Sequence, residues 1–350
     1  MRRIVWLVLF GVFTACSSQQ AAVHSSAVVD TGACSMAAAT PWITRWFEAW
    51  DLASREIMHL PDAPTPNMIF FDSTCVYTTA KMTVPGVKPV AGPALRGKKL
   101  QWYAAAHHDS LTMPNGAHRA VALMSFADSD KKSGPYFVMA APSYWEKRVG
   151  ADPFAYTGVF LHEFAHTRQI HGMAAVIGPI DKTWKDKYKE ELDDDVVQRH
   201  FEQDSVYVAA YLAERDLLYR AASAGTIDES RGLAQQALDM MRSRHARWFT
   251  GDKAVFATLD DTFLSLEGSA QWTASAWLAH PKGGGIEGDK AAAKMRGKGR
   301  WWSQDEGLGL FLAVNRLWSD WPAPVFGDHS PGATELLERA IRESTPRAQH

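Results

Sequence analysis

A chain of 350 residues with 37 basic and 39 acidic side chains carries a net charge of −2, and 46% of it is hydrophobic. Such a balance lacks the basic footprint that nucleic acid or an anionic membrane surface would require. The length suffices for one large domain or two closely packed ones.

In chain order, the first feature is an export leader. Arg2 and Arg3 precede a ten-residue apolar run, Ile4 to Phe13, which is too short to span a bilayer. Phe13-Thr14-Ala15 then leads into Cys16. Small residues before a cysteine resemble the lipobox of bacterial lipoproteins, with Phe13 where Leu is usual. The resemblance implies removal of residues 1–15, a lipid anchor on Cys16, and residence in the cell envelope. Ser17 after the cysteine fits the outer membrane, on its periplasmic face. Ordinary cleavage near Ala15 is the alternative. Residues 16–40 are Ser-, Ala- and Gln-rich without apolar periodicity and read as a flexible tether. Residues 41–350 then form the folded domain. Cys34 and Cys75 remain, and an oxidising compartment permits them to pair or to stay as two buried thiols.

Three β-prone runs follow: Met68–Tyr77, Arg119–Phe126 and Tyr136–Ala141, separated by turn formers such as Pro114-Asn115-Gly116. They predict a small sheet, which with the first long helix occupies about residues 60–172. Asp152 and Pro153 open that helix, and Gly172 is a natural stop, giving about 19 residues. A helical part covers about 181–350. Its segments are about Ser205–Ala224, a helix opening with the capping box Thr226-Ile227-Asp228-Glu229, about Asp260–His280, and about Gln304–Trp318. Pro281–Arg300, rich in Gly and Lys, reads as an exposed loop, and its Gly283-Gly284-Gly285 run lacks the context of a phosphate loop. The acidic run Asp193-Asp194-Asp195 reads as solvent-facing rather than as a calcium site. The fold class is α+β.

Chemistry concentrates in the first long helix, in "FLHEFAHTRQIHG", residues 160–172. Chance would place His-Glu-x-x-His in a chain of this composition roughly 0.02 times. On a helix, His162 and His166 lie about 40° apart and one turn apart, so both imidazoles can reach one ion. Glu163 sits on the flank of that face, where a general base belongs. His171 is about 180° from His162 and points away. Gln169 stands where the metzincin pattern needs Gly, and no cysteine pair offers a structural zinc site.

Zinc requires a third protein ligand, and "LEGSAQW", residues 266–272, supplies a candidate in Glu267. His-Glu-x-x-His followed by Glu-Gly-x-Ala-x-aromatic on a later helix resembles the gluzincin-type zincin metallopeptidases. The resemblance covers two short motifs and the order of elements around them. It implies a zincin-like fold, zinc held by His162, His166 and Glu267, and close approach to the motif helix through Gly268 and Ala270. Gln271 is then placed to support a ligand histidine. The separation of about 100 residues between His166 and Glu267 exceeds that of compact members, and Glu214 and Glu202 are rival third ligands.

The implied activity is hydrolysis of a peptide or protein substrate, with Glu163 as general base. Tyr207, Tyr211, His280 and Arg168 are candidates to stabilise the oxyanion, and the Tyr136–Ala141 run to bind substrate by strand addition. The alternative is an envelope lipoprotein that keeps the scaffold and metal and only binds. In that reading some of its 14 Trp, including Trp301-Trp302, line a groove; as a class they are more often core residues.

Overall fold

The computed structural model describes residues 34–80, 87–130, 132 and 134–345. The leader, Cys16 and the tether as far as residue 33 lie outside the described residues. The chain divides into two compact units, one built on a sheet (residues 34–47 and 65–153) and one helical (48–64 and 154–345). No helix among the described residues is long and apolar enough to cross a membrane.

In the sheet unit, β1 (Asn67–Phe71), β2 (Cys75–Thr78), β3 (Lys88–Val90), β4 (Trp102–Ala106), β7 (Ser125–Asp130) and β8 (Gly134–Ala140) form a six-stranded mixed sheet. Its order is β3-β4-β2-β1-β8-β7. Only β1 and β8 run parallel, in the register Ile69↔Val138, and the other pairs are antiparallel. The run expected as one strand, Met68–Tyr77, is a hairpin. Asp72 breaks it, because its Oδ1 accepts from the backbone N–H groups of Thr74 (2.8 Å) and Cys75 (2.7 Å) and folds the chain back. The expected strand 119–126 is likewise split between β6 (His118–Ala120) and β7, and β6 pairs with β5 (Ser110–Thr112) in a separate ribbon.

Alternation along β1 sets the two faces. Phe70 points one way, against Trp42, Trp46 and Phe47 of helix α1 (Met36–Asp51) and against Phe137 of β8. Ile69 and Phe71 point the other way, into a cluster with Val138, Leu111 and Met113 that the β5–β6 ribbon covers. The tether is therefore shorter than the sequence indicated, since α1 starts at Met36. The stripe Met36, Ala39, Ile43 is buried, and it begins inside the stretch whose composition reads as linker. Cys34 and Cys75 form a disulfide that fixes the start of this helix to β2. A short helix α2 (Pro142–Val149) closes the unit.

The helical unit contains α3 (Pro153–Tyr188), α4 (Val196–Phe201), α5 (Ser205–Ser223), α6 (Ile227–Trp248), α7 (Val255–Ala279), α8 (Gly288–Met295), α9 (Trp302–Leu317), α10 (Pro322–Val325) and α11 (Ala333–Glu343). Helix α3 starts at Pro153 as expected but has 36 residues, passing through Gly172 and Pro179. Gly172 is no stop. A Cβ there would lie 2.9 Å from Ser330 N and 3.1 Å from Asp328 O, so the glycine is needed for close approach of that loop. Tertiary burial of Met173, Ile177 and Trp184 carries the helix past a residue that is locally a terminator. The capping box is present at α6, where Thr226 Oγ1 accepts from Glu229 N (3.1 Å) and Glu229 Oε2 accepts from Gly225 N (2.9 Å). Part of the expected loop 281–300 is helix α8, anchored by buried Ala291.

Helices α7 and α9 pack against each other along their length. Gly268 and Gly307 make the crossing possible, since a Cβ on Gly268 would sit 2.4 Å from Gly307 O. The sequence expectation that Gly268 faces the motif helix is thus corrected: its empty side faces α9. Behind this pair lies a buried ionic cluster. Arg244 donates to Glu214 (2.7 and 3.0 Å), Asp260 (3.0 Å) and the Tyr207 hydroxyl (2.7 Å).

Candidate metal centre

Helix α3 presents His162, Glu163 and His166 inward, all buried. A carboxylate oxygen of Glu163 and one ring nitrogen from each histidine lie within 4.8 Å of one another. Glu267 comes from α7, whose face at this level is buried around its whole circumference. Its Oε2 is 3.1 Å from His162 Nε2 and its Oε1 is 3.3 Å from His166 Nε2. The two Nε2 atoms are 3.2 Å apart. Three donors around one tetrahedral ion, each about 2.0 to 2.2 Å from it, would be about 3.3 to 3.6 Å apart. The three observed separations, two of them to different oxygens of Glu267, are within a few tenths of an ångström of that spacing.

The surroundings fix the tautomer that a metal ligand needs. Gln169, one turn along α3, accepts from His166 Nδ1 at 3.0 Å through Oε1, and its Nε2 donates to Ser269 Oγ at 2.7 Å. Ser269 in turn donates to Leu266 O. With the amide oriented this way, Nδ1 of His166 carries the proton and Nε2 offers its lone pair to the centre. The residue that rules out the metzincin pattern is therefore the hydrogen-bond partner of a candidate ligand. For His162 the matching partner is Gln271. Gln271 raises the His162 pKa as an acceptor does, although neither His162 Nδ1 nor Gln271 Oε1 reaches a partner at full hydrogen-bonding geometry. Gln271 Nε2 donates to Gln304 Oε1 (2.8 Å), and Gln304 Nε2 donates to Glu267 Oε2 (3.3 Å). Gln304, on α9, had no signal in the sequence beyond its place at the start of a helix.

The electrostatics reflect three titratable groups forced together. Burial opposes charge on His162, but the Glu267 hydrogen bond and charge, the Glu163 charge and Gln271 together outweigh it and raise the pKa. Burial lowers His166 to about 4, with Glu267 opposing and His162 adding to the shift. Glu267 is held low by the two imidazoles against the cost of its burial. Burial, aided by Glu267, pushes Glu163 up to about 8. Glu163 is 2% exposed and lies beside His162 and Glu267 in a shared electrostatic field.

The buried His162–Glu163–His166 group, with the Gln169 amide bonded behind His166, could hold a metal ion, and His162 Nδ1 has no hydrogen-bond partner. The rival ligands are elsewhere. Glu214 is engaged by Arg244, Glu202 is exposed at the end of α4, and His171 is exposed as its helical position predicts. The candidate oxyanion groups are also committed: Tyr207 to Arg244, Arg168 to Pro61 O, and His280 Nδ1 to Lys282 N, while Tyr211 Oη is buried without a partner. The Tyr136–Ala141 run forms β8, an interior strand bonded on both edges, so strand addition there is closed. The acidic run is not a solvated face. Asp194 is buried, and its pKa is pushed well up by burial and then by the Glu267 carboxylate. Comparison with protein-family models, curated proteins and solved structures finds no match to this chain.

Proposed function

We propose that this protein is a zinc-dependent metallopeptidase with a zincin-like fold of the gluzincin type. In this reading it is lipid-anchored through Cys16 in the bacterial cell envelope, hydrolysing peptides or proteins there. One observation supports the reading: His162 Nε2, His166 Nε2 and the two Glu267 carboxylate oxygens lie 3.1 to 3.3 Å apart, with the Glu163 carboxylate alongside. His162, His166 and Glu267 hold the ion. When bound, zinc supplies Lewis acidity toward a scissile carbonyl and a water that is nucleophilic at neutral pH. Glu163 takes the proton from the attacking water and delivers it to the departing amine. Gln169 keeps His166 in its ligand tautomer, and Gln304 restrains one oxygen of Glu267. The burial of all four side chains excludes bulk water and strengthens each of these interactions.

Glu163→Gln tests this directly. It preserves size and polarity and removes the base, so zinc content stays at the wild-type level while hydrolysis of a broad peptide library falls by roughly 10² or more. Equal cleavage by both proteins would remove Glu163 from the mechanism. No cleavage by either, with zinc and a shared ligand still bound, would leave a binding lipoprotein.

A further inference from the structure

Two polar atoms beside the metal centre are left over. His162 Nδ1 and Gln271 Oε1 are both buried, and neither reaches a partner at full hydrogen-bonding geometry. Buried polar groups are nearly always paired, so each such atom calls for a physical reason. Gln271 acts on His162 as an acceptor does. We propose that these two atoms form the last link of one directed chain, Glu267–Gln304–Gln271–His162, which makes Nε2 the metal-binding nitrogen of His162. Gln304 and Gln271 are then positioning residues that serve two ligands at once. The proposal rests on the reading of His162 and Glu267 as metal ligands and deepens it.

The direction of the chain follows from its acceptors. A carboxylate offers no proton, so the atom that Gln304 turns to Glu267 Oε2, at 3.3 Å, is its amide nitrogen. The Gln304 oxygen is left for Gln271, which must therefore offer nitrogen, at 2.8 Å. A second acceptor makes the same demand: the Met295 carbonyl oxygen lies 3.2 Å from that nitrogen. Met295 is the last residue of α8, where helix carbonyls have no intrahelical donor. With its nitrogen committed twice, Gln271 has only Oε1 to present to His162. An acceptor there calls for the proton of the neutral imidazole on Nδ1. The lone pair then falls on Nε2, the atom 3.1 Å from Glu267.

The far side of the chain is pinned. Arg296, next to Met295, donates to Asp305, next to Gln304, at 2.7 Å, and Asp305 is wholly buried. This pair ties the end of α8 to the start of α9, so the anchors of both amides keep their places. The two histidines thus have separate supports. Gln169 and Ser269 serve His166, and the chain through α7, α8 and α9 serves His162.

Two readouts test this, using Gln→Met variants that keep the length and bulk of the side chain. In the metal-free full chain, heteronuclear NMR of the neutral imidazole rings shows which nitrogen carries the proton. His162 should be protonated at Nδ1 in the wild type. Gln271→Met should abolish that preference and leave His166 at Nδ1, and Gln169→Met should do the reverse. A merely structural loss would disturb both rings alike. Zinc affinity is the second readout. Gln271→Met and Gln304→Met should each weaken it by about tenfold or more, and the double variant by little more than either. Gln169→Met combined with Gln304→Met should instead multiply the single losses, to about a hundredfold. A wild-type His162 protonated at Nε2 overturns the chain without recourse to any variant, and so do losses that multiply in the Gln271→Met/Gln304→Met pair. A wild type with His162 protonated at Nδ1 that binds no zinc overturns the ligand reading and leaves the chain.

Discussion

Gly268→Ala is the smallest change that should disturb the centre from outside it. The added methyl would lie 2.4 Å from Gly307 O, 2.5 Å from its carbonyl carbon and 2.6 Å from its Cα. Ordinary carbon contacts are about 3.5 to 4.0 Å, so α7 and α9 must part by about 1 Å. All three obstructing atoms are backbone, so no rotamer relieves the clash. The cost belongs at the upper end of overpacking, about 3 kcal/mol, which for a chain of this size lowers Tm by about 4 to 5 °C. Glu267 adjoins the substituted residue and Gln304 is on the displaced helix, so zinc affinity should fall as well. Gly232 is the control. It is exposed on α6, a Cβ there meets nothing within 4 Å, and Gly232→Ala should stabilise by about 0.5 to 1 kcal/mol. Thermal and urea unfolding of both variants measures the contrast. A Gly268→Ala protein melting with the wild type would refute the close crossing of α7 and α9.

Replacing Cys34 and Cys75 together by Ser opens a crosslink between residues 41 apart in sequence, worth about 4 kcal/mol on the chain-entropy account. Urea unfolding with and without reductant checks it, and a loss below about 1 kcal/mol would contradict it. Burial pushes Asp128 up to about 6, even though it accepts from the Tyr136 hydroxyl (2.7 Å) and from Asn115 (3.1 Å). Because the folded pKa exceeds the unfolded one, this acid's contribution is full below about pH 4 and lost as pH rises through 6. Asp128→Asn should flatten stability between pH 4 and 7 and gain about 1 to 3 kcal/mol at pH 8; an unchanged pH profile would show that Asp128 is not the titrating group.

What the sequence disclosed was local. His162, Glu163 and His166 follow from a four-residue spacing on one helix, and Asp152-Pro153 marked where that helix begins. Its end did not follow, because Gly172 is a terminator by propensity and a packing residue in the fold, where Ser330 occupies its empty side. The hairpin at Asp72 was hidden by apolar residues on both sides of a single turn-forming carboxylate. Glu267 was reachable only through a motif on a distant helix. Gln304 and Asp194 reach the centre by tertiary packing alone, from an α9 start and from a run of acids whose composition suggests solvent. Helix α1 escaped notice because its buried stripe begins in alanine-rich sequence that composition alone assigns to a tether.

The ligand triangle is tested most directly by zinc affinity, measured by competition with a chromophoric chelator on wild type and Glu267→Ala. About one zinc per chain is predicted for the wild type, with affinity reduced by about 10² or more when Glu267 is removed and the fold is retained. Wild-type protein that binds no zinc, or a folded Glu267→Ala protein that binds it as tightly as wild type, would contradict the assignment of His162, His166 and Glu267 as the metal ligands.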